Sequence, residues 1–156
     1  MSDAFSIKVA FGGFEDFIAS EEQKIIDAAR PAAQAGAQVL YDAVKNNVAA
    51  LGKKTGNLDR SIYQAFSEDK SGPGKAVYHI SWNAKKAPHG HLVENGYIKK
   101  WEVVLSKKTG KWITLKNRPL ATPVHIPGKY FVRRAQDHFP QAYEAMRAEF
   151  LRRIGV

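Results

Sequence analysis

The sequence predicts an α+β protein: a small, mainly antiparallel sheet packed against a long N-terminal helix and a C-terminal helix, with a projecting β-hairpin. Two long segments carry apolar residues at spacings of three, four and seven, the periodicity of amphipathic helices. Between them lie short alternating segments bounded by glycine and proline, a pattern typical of antiparallel strands and their turns. A length of 156 residues suits a single domain with one core, so we expect one domain over residues 1–156.

The N-terminal third predicts a strand followed by a long helix. Residues 5–11 alternate large apolar and smaller or polar side chains, which indicates a half-buried strand. Ser20 and Gln23 form a capping-box pattern, so a helix should begin there and end near Gly52. Pro31 lacks an N–H group and predicts a kink or break near Arg30. The predicted buried stripe of this helix is Ile26, Ala33, Ala37, Leu40, Val44, Val48 and Leu51.

The rest of the chain predicts two pairs of strands and a closing helix. Residues 58–67 and 75–83 should pair as antiparallel neighbours, because Gly72-Pro73-Gly74 between them cannot continue a strand. Residues 101–105 and 112–115 flank a glycine-containing loop and predict a hairpin. The prolines of 117–119 and 122–123 should break the chain again. A last helix is expected over 130–154, with a bend or a restart capped by Asp137 near Pro140.

Composition excludes several classes of protein. The chain has no cysteine, which rules out disulfides, thiolate catalysis and cysteine-ligated metals. No apolar run reaches the roughly 20 residues that a membrane helix needs, and the N-terminus lacks the layout of a secretory signal. We therefore expect a protein made in a reducing cytoplasm, without contact with a membrane.

Charge is unevenly distributed along the chain. The net charge is +9, but residues 1–51 hold four basic and seven acidic side chains, whereas residues 52–156 hold twenty basic and eight acidic ones. A basic region suggests a polyanion or an acidic protein surface as its neighbour. Lysines that only keep the protein soluble explain the same composition equally well.

Three short segments join turn residues to apolar runs and so mark where one element ends and the next begins. Gly56 and Gly96 suit turns that need a positive φ or a close approach of two backbones. Glu94 lies in a mostly apolar segment and needs a partner, for which Arg60, Arg133 or Arg134 are candidates. The segments are Thr55-Gly56-Asn57-Leu58-Asp59-Arg60-Ser61-Ile62, His91-Leu92-Val93-Glu94-Asn95-Gly96 and Ile126-Pro127-Gly128-Lys129-Tyr130-Phe131-Val132-Arg133-Arg134-Ala135.

This ordered set resembles the neck or tail-completion family of tailed bacteriophages over nearly the whole chain. Three sequence motifs of that family are matched here: Thr-Gly-x-Leu-x-x-Ser-Ile, aliphatic-Val-Glu-x-Gly and Pro-Phe-aliphatic-Arg-x-Ala. In the third motif, three residues are inserted after the proline. The resemblance implies a structural virion protein that forms a ring at the head–tail joint around the DNA channel, in contact with head-completion or adaptor proteins and tail proteins. The matching residues are Thr55, Gly56, Leu58, Ser61, Ile62, Leu92, Val93, Glu94, Gly96, Pro127, Phe131, Val132, Arg133 and Ala135.

One cluster has the composition of a metal site. His89, His91 and Glu94, with His125 or His79, include the imidazole and carboxylate ligands that zinc accepts. In an extended loop, however, His89 and His91 reach one ion only if the backbone bends, and the helical His-Glu-x-x-His pattern is absent. No nucleophile elbow, phosphate-binding glycine loop or EF-hand string is present either. We expect no metal, no cofactor and no enzymatic activity.

The predicted hairpin region is strongly basic and contains two tryptophans. Residues 85–118 carry nine basic side chains against Glu94 and Glu102, with Trp101 and Trp112 interleaved. This composition is shared by single-strand nucleic-acid binders. The favoured interpretation is a solvated hairpin whose tryptophans pack inward. A third possibility, suited to the resemblance, is an arm that docks on an acidic neighbouring ring through Lys99, Lys100, Lys107, Lys108 and Lys111.

Overall fold

The computed structural model describes residues 7–11, 22–52 and 55–156 and confirms the α+β class. In this part of the chain, short 3-10 segments at Glu68–Lys70 and Arg133–His138 accompany the regular elements. Those elements are β1 (Ile7–Phe11), α1 (Glu22–Ala50), α2 (Asn57–Ser61), β2 (Ile62–Phe66), β3 (Ala76–Trp82), α3 (Gly90–Asn95), β4 (Gly96–Leu105), β5 (Trp112–Pro127) and α4 (Phe139–Ile154).

Helix α1 is continuous through Pro31, so the predicted break is wrong. The residues on both sides of the proline, Ala28–Ala29 and Ala32–Ala33, are buried. Packing of both halves outweighs the one hydrogen bond that the proline removes. The helix ends as predicted, because Gly52 has a φ of 80°. The proposed cap at Ser20 lies outside the described residues.

The core forms where α1 meets the three-stranded sheet on one side and α4 on another. Small side chains along α1 let α4 approach closely: a Cβ added at Gly36 would overlap the side chain of Met146. The predicted stripe of α1 is confirmed from Ala33 to Val48, but Ile25 rather than Ile26 is the buried isoleucine. The alanine-rich sequence therefore sets the helix–helix distance.

The three-stranded sheet has the order β1-β3-β2 and is antiparallel throughout. The predicted pairing of β2 with β3 is confirmed, with Gln64 opposite Ile80. Residues 58–61, predicted as the start of the strand, instead form most of the short helix α2. Strand β3 is central and buried except at His79.

The C-terminal segment restarts at Pro140, as one of the two predicted forms required. A 3-10 segment, Arg133–His138, precedes α4, and Pro140 occupies the first turn of α4, where its missing N–H costs nothing. The residue at the N-cap is His138, without a side-chain cap hydrogen bond, and not the expected Asp137.

Strands β4 and β5 form a hairpin much longer than predicted. Its loop begins and ends at the predicted residues, but the strands span 96–105 and 112–127. Pro119 and Pro123 do not end β5. They accompany irregular pairing, in which the register moves from Lys99↔Val124 to Trp101↔Pro119 and then to Glu102↔Leu115. A strand with a free edge tolerates prolines at such irregularities.

Among the described residues, no helix has a stretch that is long and apolar enough to cross a membrane.

Candidate functional site

The first motif forms the turn that leads into β2. Gly56 takes a left-handed φ of 70° before α2, as its predicted role requires. The hydroxyl of Ser61 is buried and donates a hydrogen bond to the carbonyl of Leu58 at 2.7 Å. Because the carbonyl of Ser61 also accepts from the N–H of Asn83, this turn ties the start of β2 to the end of β3.

The charged residues of the first motif are bonded close to the turn. The guanidinium of Arg60 donates to the Thr55 carbonyl at 3.1 Å and to Asn57 Oδ1 at 2.8 Å. Lys45 of α1 reaches the Asp59 carboxylate at 2.7 Å and the Asp59 carbonyl at 2.8 Å. These contacts hold the turn against α1.

Glu94 is the anchor of the second motif. Its side chain is fully buried, and its two carboxylate oxygens accept hydrogen bonds from the backbone N–H groups of Val132, at 2.9 Å, and Arg133, at 3.1 Å. These donors are the backbone N–H groups that open the 3-10 segment Arg133–His138, whereas the sequence predicted the side chain of an arginine. Charge-assisted bonds to such free amides satisfy a buried carboxylate.

The second and third motifs also meet through their backbones. Gly96 has a φ of 79°, and a Cβ there would lie 2.5 Å from the amide nitrogen of Gly128. The N–H of Lys129 donates to the Val93 carbonyl at 2.7 Å, and the N–H of Tyr130 to the Glu94 carbonyl at 3.1 Å. The insertion after Pro127 thus contributes a second required glycine, Gly128, which sequence reasoning missed.

The third motif fixes this junction to the core. Phe131, Val132 and Ala135 are fully buried, and the ring of Phe131 meets Trp82 edge-on with 5.5 Å between ring centroids. The side-chain amide of Asn47 in α1 donates to the Phe131 carbonyl at 2.9 Å. The base of the hairpin is therefore held rigidly to α1 and β3.

Beyond this base, the hairpin projects from the domain, and we call residues 96–127 the arm. Beyond its junction with α3 the arm packs chiefly against itself. Trp101 and Trp112 are exposed, so the prediction that they pack inward is wrong. Trp112 exposes 66% of its surface, Ile98 57% and Leu105 52%. Several large apolar side chains exposed to water on one short hairpin indicate an interaction surface.

The basic residues of the arm lie both at its tip and along its shaft. Lys107, Lys108 and Lys111 are exposed on the loop, while Lys100 is exposed and Lys99 half-buried on the shaft. The loop is closed by hydrogen bonds between Ser106 and Lys111 and between Gly110 and Ser106, and Gly110 has the expected positive φ of 63°. The tip thus presents three ammonium groups from an ordered turn.

The residues weighed as metal ligands do not converge. His89 and Gly90 begin α3 rather than an extended loop, and both oxygens of Glu94 face backbone amides. Across the described ranges, no group of three or more potential ligand side chains could hold a metal ion.

Comparison with protein families identifies the chain. Residues 13–96, just over half of the sequence, match the HK97-gp10-like family model, described as “Bacteriophage HK97-gp10, putative tail-component”. The chain belongs to this family of phage tail components, which is consistent with the predicted resemblance to the neck or tail-completion family. Comparisons with curated proteins and with solved structures found no match.

The family match defines a structural bacteriophage protein of the tail, and so a component of the virion. The matched segment contains the first two motifs and ends at Gly96, where β4 begins. The arm and α4 follow it. The geometry of the arm is therefore the feature from which a more specific function can be argued.

Proposed function

We propose that this protein is a subunit of a ring at the phage head–tail junction, joining the head and portal complex to the tail and surrounding the DNA channel. The observation that carries the proposal is the arm: a phage tail protein holds a rigidly anchored hairpin away from its core, with apolar side chains exposed along it. Such a surface serves to bind other protein surfaces.

A ring requires two different, complementary surfaces on each subunit. The chain supplies a charge difference that suits them, since residues 1–51 carry a net charge of −3 and residues 52–156 carry +12. Its proposed partners are further copies of itself, the neighbouring head-completion or adaptor proteins and tail proteins, and the passing DNA, which it meets without sequence preference. The proposal assigns the protein no reaction, cofactor or membrane, and places it in the host cytoplasm during assembly.

The proposal is tested first by locating the protein in the particle. Electron microscopy of virions, with the protein labelled, should place it in a ring between head and tail. A neck that lacks this polypeptide would reject the proposal.

The second test concerns the arm. Replacing Lys107 and Lys108 with serine should leave a folded subunit that fails to join heads to tails, because the tip has lost two charges. The matched control replaces Lys85 and Lys86, two adjacent exposed lysines of the body, and should give a normal yield of infectious phage. A normal yield from the tip variant would contradict a docking role for the tip.

A nucleic-acid-binding module remains the second candidate, because Trp101 and Trp112 are exposed beside lysines. Exposed aromatic rings can stack on bases of single strands. The exposed Val104, Leu105 and Ile113 offer a base no ring to stack on, and they favour a protein partner. Strong binding of DNA by the isolated protein, lost steeply as salt rises, would instead support this alternative.

A further inference from the structure

The distal half of the arm is apolar on both faces. Side chains of a strand alternate between faces, so Leu105 and its pair Trp112 point to one side, while Val104 and its pair Ile113 point to the other. All four are exposed. A hairpin that lay on a flat surface would need only one apolar face. This one can therefore contact partner surfaces on both of its sides.

The exposed apolar area of the arm is sufficient for a stable contact. Its large exposed side chains leave roughly 600–950 Å² in water, if a complete large side chain offers about 150–250 Å². One partner in a standard protein interface contributes about 800 Å². These side chains are Tyr97, Ile98, Trp101, Val104, Leu105, Trp112, Ile113 and Val124.

The two edges of the arm differ in their capacity to pair with another strand. Strand β5 contains Pro119, Pro123 and Pro127, which carry no N–H, and its register is irregular. Strand β4 contains no proline between Gly96 and Leu105. Prolines and irregular register blunt an edge against pairing, so β4 supplies the edge that can add to a sheet.

A complementary groove lies along β2 on the body of the same protein. In the sheet order β1-β3-β2, β2 has no further strand beside it within the described residues. The groove is lined by Tyr63, Ala65 and Phe66 of β2 and continues to Glu68 and Asp69 just beyond the strand. His79 also lines it, so the apolar part of the groove ends at a mixed polar group that includes the two carboxylates.

The arm and the groove match in chemistry and in order. The shaft of the arm carries exposed apolar side chains interspersed with basic ones and leads to Lys107 and Lys108. The groove has a largely apolar strand edge that leads to Glu68 and Asp69. Arg30 also borders the groove, with its guanidinium 4.1 Å from the centroid of the Phe66 ring. Lys70 adjoins Asp69 in the same 3-10 segment, so the charge match is local to the two carboxylates and does not extend over the whole groove.

In the folded subunit, the arm cannot reach the groove of its own chain. The ten residues of β4 extend about 33 Å at roughly 3.3 Å per residue, away from an anchored base. No residue of the arm lines the groove of its own chain. An arm that occupies the groove must consequently come from another copy.

We infer that the arm of one subunit lies in the β2 groove of the next, with β4 along the free edge of β2 and the lysine tip beside Glu68 and Asp69. The inference rests on the proposed ring and specifies its subunit contact. Because arm and groove are different surfaces, the contact is heterologous, and each subunit both gives and receives one arm. Such a contact propagates from copy to copy and closes when the rotation permits.

Cysteine cross-linking tests the contact directly, because the natural chain contains no cysteine. Val104→Cys on the arm and Ala65→Cys in the groove are made in separate proteins, which are mixed at the concentration where the wild type oligomerises. A short thiol cross-linker should join the two variants to each other as heterodimers. The control, Gln38→Cys on the exposed side of α1, should not react with Val104→Cys.

Charge exchange provides the second readout. Lys107→Glu with Lys108→Glu should weaken self-association roughly tenfold or more, and Glu68→Lys with Asp69→Lys should do the same. Mixing the two variants should restore association, since each then offers the charge that the other lacks. Mixtures that do not associate, or a wild type that stays monomeric at every accessible concentration, would overturn the inference.

The inference and the proposed function fail separately. If the protein is found at the neck but no arm-to-groove cross-link forms there, the arm docks on a different neck protein and the inference is wrong. If the cross-link forms in purified protein but virions lack the polypeptide, the ring contact stands and the proposed location is wrong.

Discussion

Replacing Glu94 with glutamine isolates the contact that anchors the arm. The carboxylate is fully buried and accepts the N–H groups of Val132 and Arg133 at 2.9 and 3.1 Å. Glutamine has nearly the same shape, so no cavity is created. Its amide, however, offers one acceptor oxygen and turns an NH₂ group toward the second backbone N–H.

The size of the loss follows from these two bonds. A hydrogen bond to a charged group contributes about 1.5–3 kcal/mol, and a buried donor left without an acceptor costs about 1–3 kcal/mol. Because the terms overlap, we expect Glu94→Gln to lower the free energy of unfolding by about 2–4 kcal/mol. For a domain of this length, that corresponds to a fall in Tm of roughly 5–15 °C.

Thermal unfolding followed by circular dichroism, with urea titration for the free energy, measures the effect. Glu144→Gln is the matched control, because Glu144 is exposed and its ion pair with Arg147, at 3.7 Å, is a surface contact. That control should change stability by less than about 0.5 kcal/mol. If Glu94→Gln melted within about 1 °C of the wild type, Glu94 would not be a stabilising anchor.

Two further predictions concern a glycine of the anchor and a carboxylate of the last helix. Gly96→Ala should lower the free energy of unfolding by about 3 kcal/mol or prevent folding, because a positive φ is combined with overlap of the facing backbone. Gly110→Ala, at a similar φ but in open space, should lower it by only about 1 kcal/mol. Equal losses in urea titrations would show that crowding is unimportant. Hydrogen bonds from Arg152 and Arg153 lower the pKa of Glu149 from 4.5 to about 2. Stability that this carboxylate contributes is present above pH 4.5 and lost as the pH falls toward 2, and a side-chain NMR titration with a midpoint near 4.5 would contradict the assignment.

The sequence predicted the candidate site in parts, and the structure assembled them. Glu94, Gly96 and Phe131 were identified from their motifs, but no spacing indicates that the carboxylate of one motif accepts the amides of another. The partner proposed from sequence was an arginine, since charge is visible in a sequence and free backbone N–H groups are not. Those N–H groups are available because they open the 3-10 segment that begins at Arg133, and tertiary packing decides where that segment begins.

The arm shows the same division. Its loop at Ser106–Lys111 was predicted from local turn chemistry, but its length was not, because Pro119 and Pro123 ordinarily end a strand. An informative signal was present: the consecutive apolar residues 103–105 and 112–113 break the alternation of a strand with one buried face. That pattern indicates two apolar faces, and only the structure shows that both remain exposed.

By itself, the sequence determined the α+β class, the long helix with its alanine-rich stripe, the pairing of β2 with β3 and the phage family, because these depend on local periodicity, turn residues and ordered motifs. The tertiary structure decided that α1 continues through Pro31, that Glu94 binds backbone amides and that the hairpin stands away from the core. These outcomes depend on contacts between segments far apart in the chain. In such contacts, the free energy gained by packing can offset the local conformational preference of a residue.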